Sequence, residues 1–390
     1  MEEAGKVLAD TYFRQPVVFV KGEGMTLWDD AGKSYLDFVA GVAVCILGHS
    51  HPAVAQALYR QSKELVHVSN LFYTAPQVKL ARWLTDRSFA DRAFFCNSGA
   101  EANEAAIKLT RIYQKSIGQT DRYRIITAEK SFHGRTLTTL SATGQEKIHK
   151  GFEPLVDGFD YVPYNDLSAA EGAVGPKTAG IMMEPVQGEG GVVVPDPGYL
   201  KGLREICDRR GLLLVYDEVQ TGMGRTGTLF GYEHENVPPD IMTLAKGLGN
   251  GLPVGAMLAT EKAMAAFTPG THASTFGGTP LVCAAALAVV ETLEKDGVLE
   301  KAKVVSDYFI GRLKALAEKH EVADEVRGRG LLLGLRLKKD AGALVGAMRD
   351  KGFLINCTQG DVLRFIPPLI VQKEHVDLMI DTLDGLLAEF

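Results

Sequence analysis

The stretch Leu212-Leu213-Leu214-Val215-Tyr216-Asp217-Glu218-Val219-Gln220 and, about one strand-and-loop unit downstream, Thr243-Leu244-Ala245-Lys246-Gly247-Leu248-Gly249 carry the reading of this chain. The first begins with five apolar residues and leaves no polar face, which predicts a strand covered on both sides, as in parallel sheets flanked by helices. An ionised Asp217 at the end of such a strand needs a cation or a full set of hydrogen bonds. The second run follows another apolar strand and presents Lys246.

Working outward, apolar runs at Ala93–Cys96, Tyr123–Thr127, Gly180–Glu184, Ile241–Ala245 and Ala256–Ala259 read as further buried strands, and Ala102–Gln114 and Tyr199–Arg210 carry helical spacing between them. This alternation predicts an α/β fold with a large, mainly parallel sheet. Beyond an apolar helix near Pro280–Glu294 the pattern changes to a long amphipathic helix around Val298–Lys319, a strand at Leu331–Leu337 and a last helix at Lys373–Phe390. That pattern reads as a smaller α+β domain. The expected division is an N-terminal segment, residues 1–51, contributing to the small domain; a large α/β domain, residues 52–279; and a linking helix with the small domain proper, residues 280–390.

Composition excludes several partner classes. Hydrophobic residues at 46% and charged residues at 23% are ordinary globular values, and 48 acidic against 42 basic side chains give a net charge of -6, with no basic excess to draw nucleic acid or an anionic membrane. Cys45, Cys96, Cys207, Cys283 and Cys357 are odd in number and form no CxxC pair, so neither a disulfide framework nor a thiolate metal site is indicated. A reducing cytoplasm fits best. Met1 to Pro16 lacks the apolar core of a signal peptide, and no apolar run approaches the ~18 residues of a spanning helix.

The strand-end pair suggests a chemistry. A lysine amine and a buried aspartate together suit an aldehyde cofactor with a basic ring nitrogen, pyridoxal 5'-phosphate. At ~4 Å and an effective dielectric near 20, the Asp217 carboxylate would attract a protonated pyridine by roughly 4 kcal/mol, about three pKa units on the nitrogen. Taken singly, a strand-end aspartate is more often a cap or metal ligand and a loop lysine is usually solvated; their co-occurrence carries the reading. Asn97-Ser98-Gly99-Ala100-Glu101 joins a strand to a helix and offers unpaired amides to a phosphate, although Ser98 and Glu101 also suit a capping box with no ligand.

Two further motifs are weaker. Gly222-Met223-Gly224-Arg225-Thr226-Gly227 matches GxGxxG, but Thr228-Leu229-Phe230-Gly231-Tyr232 and Pro238-Pro239 follow where a dinucleotide site needs a helix, so these glycines are expected to shape an irregular loop near the cofactor ring. Ser131-Phe132-His133-Gly134-Arg135-Thr136 offers an aromatic face, an imidazole and a guanidinium. Phe132 can stack on a ring and Arg135 can fork a carboxylate, while His133 is assigned no catalytic role.

With these segments in this order the chain resembles the class III, fold-type I pyridoxal-phosphate aminotransferases, the acetylornithine aminotransferases among them. The resemblance rests on Leu36-Asp37-Phe38, Leu47-Gly48-His49 with His51-Pro52, Asn97 to Asn103, Glu184-Pro185-Val186-Gln187-Gly188-Glu189-Gly190, Asp217 to Gly227, Ala245-Lys246-Gly247 and Ser274-Thr275-Phe276-Gly277-Gly278, and it covers nearly the whole length. It implies that Lys246 bonds the cofactor aldehyde, Asp217 holds the ring nitrogen, Gln220 meets the ring hydroxyl, Val219 and Phe132 sandwich the ring, and Ser98, Gly99 and Ala100 cradle the phosphate. It further implies that Thr275 reaches the neighbouring subunit's cofactor phosphate with Ser274 beside the substrate, so that active sites are shared across a homodimer. Arg135 and Arg364 match the family's carboxylate-binding arginines, and Glu189 matches an acid that pairs with Arg364.

The implied reaction converts N2-acetyl-L-ornithine and 2-oxoglutarate into N-acetyl-L-glutamate 5-semialdehyde and L-glutamate, a step of arginine biosynthesis. Ornithine, succinylated diamines and 4-aminobutyrate are the competing amine donors within the family. Val42, aligned on Asp37-Phe38 and Gly48-His49, stands where ornithine aminotransferases carry a substrate-contacting tyrosine, which argues against free ornithine. An inactive cofactor-binding or structural relic is the alternative outside enzymes; intact Lys246, Asp217, Arg135 and Arg364 argue against it.

Overall fold

A computed structural model describes all 390 residues. Its centre is a seven-stranded sheet in the spatial order Arg92–Cys96, Gly255–Ala259, Ile241–Leu244, Leu213–Asp217, Thr178–Met183, Arg124–Ala128, Phe159–Val162. All strands are parallel except Gly255–Ala259, which runs antiparallel to both neighbours. Thr178–Met183, Leu213–Asp217 and Ile241–Leu244 are buried at every position, which is what strands covered on both faces require. The expected strand runs are all present within a residue or two. Phe159–Val162 was not among them; as an edge strand it exposes Tyr161, and Asp160 interrupts its apolar pattern.

Helices cover this sheet. Gly99–Ser116 buries Ala102, Ala105, Ala106 and Leu109 against the strands, and Tyr199–Arg210 and Val298–Lys319 span the predicted residues. The start of the chain forms an antiparallel set, Phe19–Glu23, Thr26–Asp29 and Ser34–Asp37, whose last strand pairs in parallel with Phe353–Leu354 from the far end of the sequence. A four-stranded antiparallel sheet, Ala323–Arg329, Leu332–Leu337, Val362–Phe365 and Asn356–Thr358 in spatial order, completes the C-terminal part. No helix is long and apolar enough to cross a membrane.

The Gly222–Gly227 loop is irregular, with Gly224 and Gly227 at φ +90° and +95°, yet it lies away from the central cavity rather than beside a ring. It docks on the C-terminal sheet: the wholly buried Arg225 donates from one guanidinium nitrogen to the carbonyls of Leu331 (2.9 Å) and Pro367 (2.6 Å). The glycines here serve chain reversal and contact with the C-terminal sheet, which the GxGxxG pattern alone does not distinguish from ligand binding.

Candidate active site

The parallel strands deliver chemistry at their carboxyl ends, the edge where open α/β sheets bind ligands. Asn97 to Gly99 follow the first strand, Phe132 follows the Arg124–Ala128 strand, Glu184 follows Met183, Asp217 closes its strand, and Lys246 stands two residues beyond Leu244. These loops line one cavity of about 450 Å³, and Ser98, Gly99, Ala100, Phe132, Arg135, Glu189, Asp217, Val219, Gln220 and Lys246 all face it. Within one subunit the structure thus brings together every residue expected to hold the cofactor except Thr275.

Asp217 is buried and firmly held. Oδ2 accepts from His133 Nδ1 and from Asn103 Nδ2, both at 2.7 Å, and Oδ1 accepts from the Val219 amide at 3.0 Å. Thr243 donates to Asn103 Oδ1 at 2.7 Å, fixing that amide in turn. Burial alone would neutralise His133, but its bond to Asp217 and the field of Asp217 and Glu184 outweigh it and raise the imidazole above its usual range. His133 and Asn103 are therefore positioning residues that the sequence reading did not assign. Asn103 had a visible signal, a polar side chain on the apolar stripe of its helix.

Lys246 adopts the left-handed conformation at φ +40°, unusual for a non-glycine residue. Burial, helped by the Arg364 guanidinium and opposed by Glu189 and Asp217, pulls its ammonium below the ordinary lysine range. An amine that sheds its proton readily is a usable nucleophile and base.

Ser98 caps the Gly99–Ser116 helix by accepting from the Glu101 amide at 3.2 Å, whereas the Glu101 carboxylate bonds Asn97 rather than closing a reciprocal box. The first-turn amides of Gly99 and Ala100 stay free of partners within the helix, as a phosphate site requires. A Cβ on Gly99 would come within 2.7 Å of Val219, so only glycine lets the helix start approach that side chain. A buried amine, a braced carboxylate and free helix-start amides around one cavity match the aldehyde, ring nitrogen and phosphate of pyridoxal phosphate, and the group fits these residues.

Arg364 lies behind the lining, 1% exposed, and its guanidinium donates to Glu189 Oε1 at 2.6 Å, Asn356 Oδ1 at 3.2 Å and Gln220 Oε1 at 3.3 Å. Burial raises Glu189, but Arg364 and Lys246 prevail and hold its carboxyl below the usual range. Arg135 is exposed, forms no ion pair, and places its guanidinium 5.6 Å from the centre of the Phe132 ring.

Ser274 accepts from Asn97 Nδ2 at 3.3 Å, at the margin of the site. Thr275 is exposed and faces a separate cleft beside His67 to Gln77. Val42 does not line the cavity; Val44 does.

A fold of this topology, with a strand-end lysine and aspartate beside a helix start whose first amides are free, defines a pyridoxal-phosphate transferase, and the class-III aminotransferase family model matches residues 8–387: the chain belongs to the class-III aminotransferases. It is 53% identical over 385 residues to the acetylornithine aminotransferase of Caldanaerobacter subterraneus, covering 98% of each chain. The ornithine aminotransferase of Toxoplasma gondii, whose crystals show PLP at partial occupancy in the active site, superposes with a TM-score of 0.95 at 34% identity over 100% of this chain and 94% of that one. The acetylornithine aminotransferase of Elizabethkingia anophelis superposes with a TM-score of 0.89 at 34% identity over 100% and 98%.

Proposed function

We propose that this chain is a pyridoxal-phosphate enzyme transferring an amino group from N2-acetyl-L-ornithine to 2-oxoglutarate, as the named activity of its 53%-identical relative suggests. The observation that carries the reading is the meeting of Lys246 and Asp217, from adjacent parallel strands, in the cavity that the Gly99 helix start and Glu189 also line. Pyridoxal phosphate supplies, when bound, an aldehyde that condenses with primary amines and a ring that draws electrons from the carbon next to the amine.

The chain's own residues supply the rest. Lys246 Nζ is the group that takes a proton from the substrate carbon and returns it. Asp217, braced by His133 and Asn103, would hold the protonated ring nitrogen of the cofactor. Gly99 and Ala100 would offer their amides to the phosphate, Val219 and Phe132 would cover the ring, and Gln220 would meet the ring hydroxyl.

Arg135 and Arg364 each take one carboxylate of glutamate. An N-acylornithine brings a single carboxylate to Arg135, and Glu189 then stays on Arg364, so no buried cation is left unpaired. Thr275, facing away from its own cavity, serves the site of a second copy in a homodimer, with Ser274 beside it. Exposed Leu71, Phe72, Tyr73 and Phe276 near that segment suit a covered interface. We divide the chain at residues 51/52 and 279/280 and place it in a reducing cytoplasm that keeps its five cysteines free.

Adding N-acetylornithine, succinylated diamines, ornithine, 4-aminobutyrate and glutamate separately to the purified yellow holoenzyme, and following loss of its visible absorbance, tests the assignment. Rapid bleaching by N-acetylornithine and by glutamate is expected. Bleaching only by another amine would move the substrate, and a colourless, unreactive protein would remove the enzyme reading.

A further inference from the structure

Glu184 is a third carboxylate in the cavity wall beside Asp217 and Glu189, 5% exposed, and has no part in the proposed mechanism. It follows the strand Thr178–Met183, and its two oxygens point to different segments. Oε2 accepts from the amide of Phe132 at 3.3 Å, and Oε1 accepts from the amide of Gly188 at 3.2 Å. The backbone carbonyl of Glu184 accepts from Tyr164 Oη at 2.9 Å, which ties this residue to the turn after the Phe159–Val162 strand.

Each amide belongs to a working part. Phe132 flanks the cavity beside Arg135, and Gly188 precedes Glu189, whose carboxylate holds Arg364. Gly188 also presses on Gln220, where an added Cβ would come within 2.3 Å of Oε1, and Gln220 is itself a partner of Arg364. One side chain therefore fixes the spacing between the arm that carries Arg135 and the turn that carries Glu189.

We infer that Glu184 is a positioning residue that anchors the Gly188–Glu189 turn, keeping Glu189 on Arg364 when the amine donor has only one carboxylate. This rests on the proposed division of labour between the two arginines. A carboxylate with both oxygens free to accept suits two N–H donors at once; a proton on one oxygen weakens one of these bonds, and an amide nitrogen in place of that oxygen removes it. The anchored turn favours the donor that leaves Arg364 idle; glutamate needs Glu189 to swing away and gains nothing from the anchor.

The groups that bear on the state of Glu184 are His133 and Asp217 beside it and Lys246 across the cavity. Burial raises its carboxyl to about 7, with Asp217 adding to the shift and His133 opposing it. Loss of the anchor is therefore expected as pH falls through the neutral range.

The test is E184Q in the holoenzyme, read as the two half-reactions separately. The N-acylornithine half-reaction should fall about tenfold in kcat/KM while the glutamate half-reaction holds within about twofold. In an E189A background the same substitution should no longer change the ratio of the two, because the turn then carries no latch. Wild type should show its acylornithine-to-glutamate ratio falling from about pH 8.5 to about pH 5.5, with E189A flat over that range, a comparison that needs no Glu184 variant to fold. Equal losses in both half-reactions, or an unchanged ratio in E184Q and a flat wild-type profile, would overturn the inference. A wild type that fails to react with glutamate at all would instead remove the division of labour on which it stands.

Discussion

Lys246 and Arg364 answer different questions, and substitution separates them. Lys246→Ala leaves the Asp217 and Gly99 contacts in place, so the protein is expected to retain cofactor and to lose turnover; near-normal turnover would exclude the lysine as the base. On the proposed division of labour Arg364→Ala removes the site for glutamate's second carboxylate and nothing an acylornithine needs, so stopped-flow bleaching should show the larger loss with glutamate. Asn103→Ala takes one of two charge-assisted hydrogen bonds from Asp217 Oδ2. Such bonds contribute about 1.5–3 kcal/mol, and both half-reactions should slow by roughly 10- to 100-fold together, with weakened cofactor retention in dialysis. A loss confined to one substrate would contradict a role through Asp217. The sequence could single out Asn103 as a polar residue on an apolar stripe but not its partners, because Asn103, His133 and Thr243 come from three separate segments and meet only in the folded sheet, whereas Lys246 and Asp217 could be read from the apolar strands that precede them.

The segment from Asp37 to His49 shows how an unfavourable backbone is held. Ala40, Gly41, Val42 and Ala43 all take positive φ, at +51°, +62°, +66° and +61°; for β-branched Val42 this costs on the order of 1–3 kcal/mol. Asp37 offsets it, accepting from the amides of Val39 and Ala40 at 2.8 and 2.9 Å through Oδ1 and from His49 at 2.8 Å through Oδ2. The bond to Asp37, then that to Cys45, raises the imidazole from 6.5 to about 9. Because the folded value lies above the unfolded one, this stabilisation is complete below pH 6.5 and disappears as pH rises through about 9. Thermal melts should therefore show the midpoint dropping between roughly pH 7 and pH 10, and Asp37→Asn should remove that drop along with some stability at neutral pH. An unchanged slope in Asp37→Asn would show that His49 is not its source. The sequence marked this segment through Leu36-Asp37-Phe38, Gly48-His49 and, by alignment on them, Val42; its backbone was not legible, since of its four left-handed residues only one is glycine.

The two sheets were legible to different degrees. Apolar runs such as Leu212–Tyr216 announce a helix-covered parallel sheet, but periodicity says nothing of direction, so the reversed Gly255–Ala259 strand came only from the structure. The parallel pairing of Ser34–Asp37 with Phe353–Leu354 joins elements more than three hundred positions apart, and no local pattern could have specified it. The homodimer proposed above predicts that sedimentation at assay concentrations will show a species of twice the chain mass, with activity lost on dilution to monomer; a fully active monomer would refute it.

Thr275 opens away from the cavity that holds Lys246 of the same chain, and that separation has a genetic signature. If each centre draws its lysine from one copy and its threonine from the other, a chain carrying Lys246→Ala and a chain carrying a disabling change at Thr275 are complementary defects. Co-expressed, they would assemble some mixed pairs in which one centre inherits both lesions and the other inherits neither. Two alleles that each fail alone would then rescue growth together.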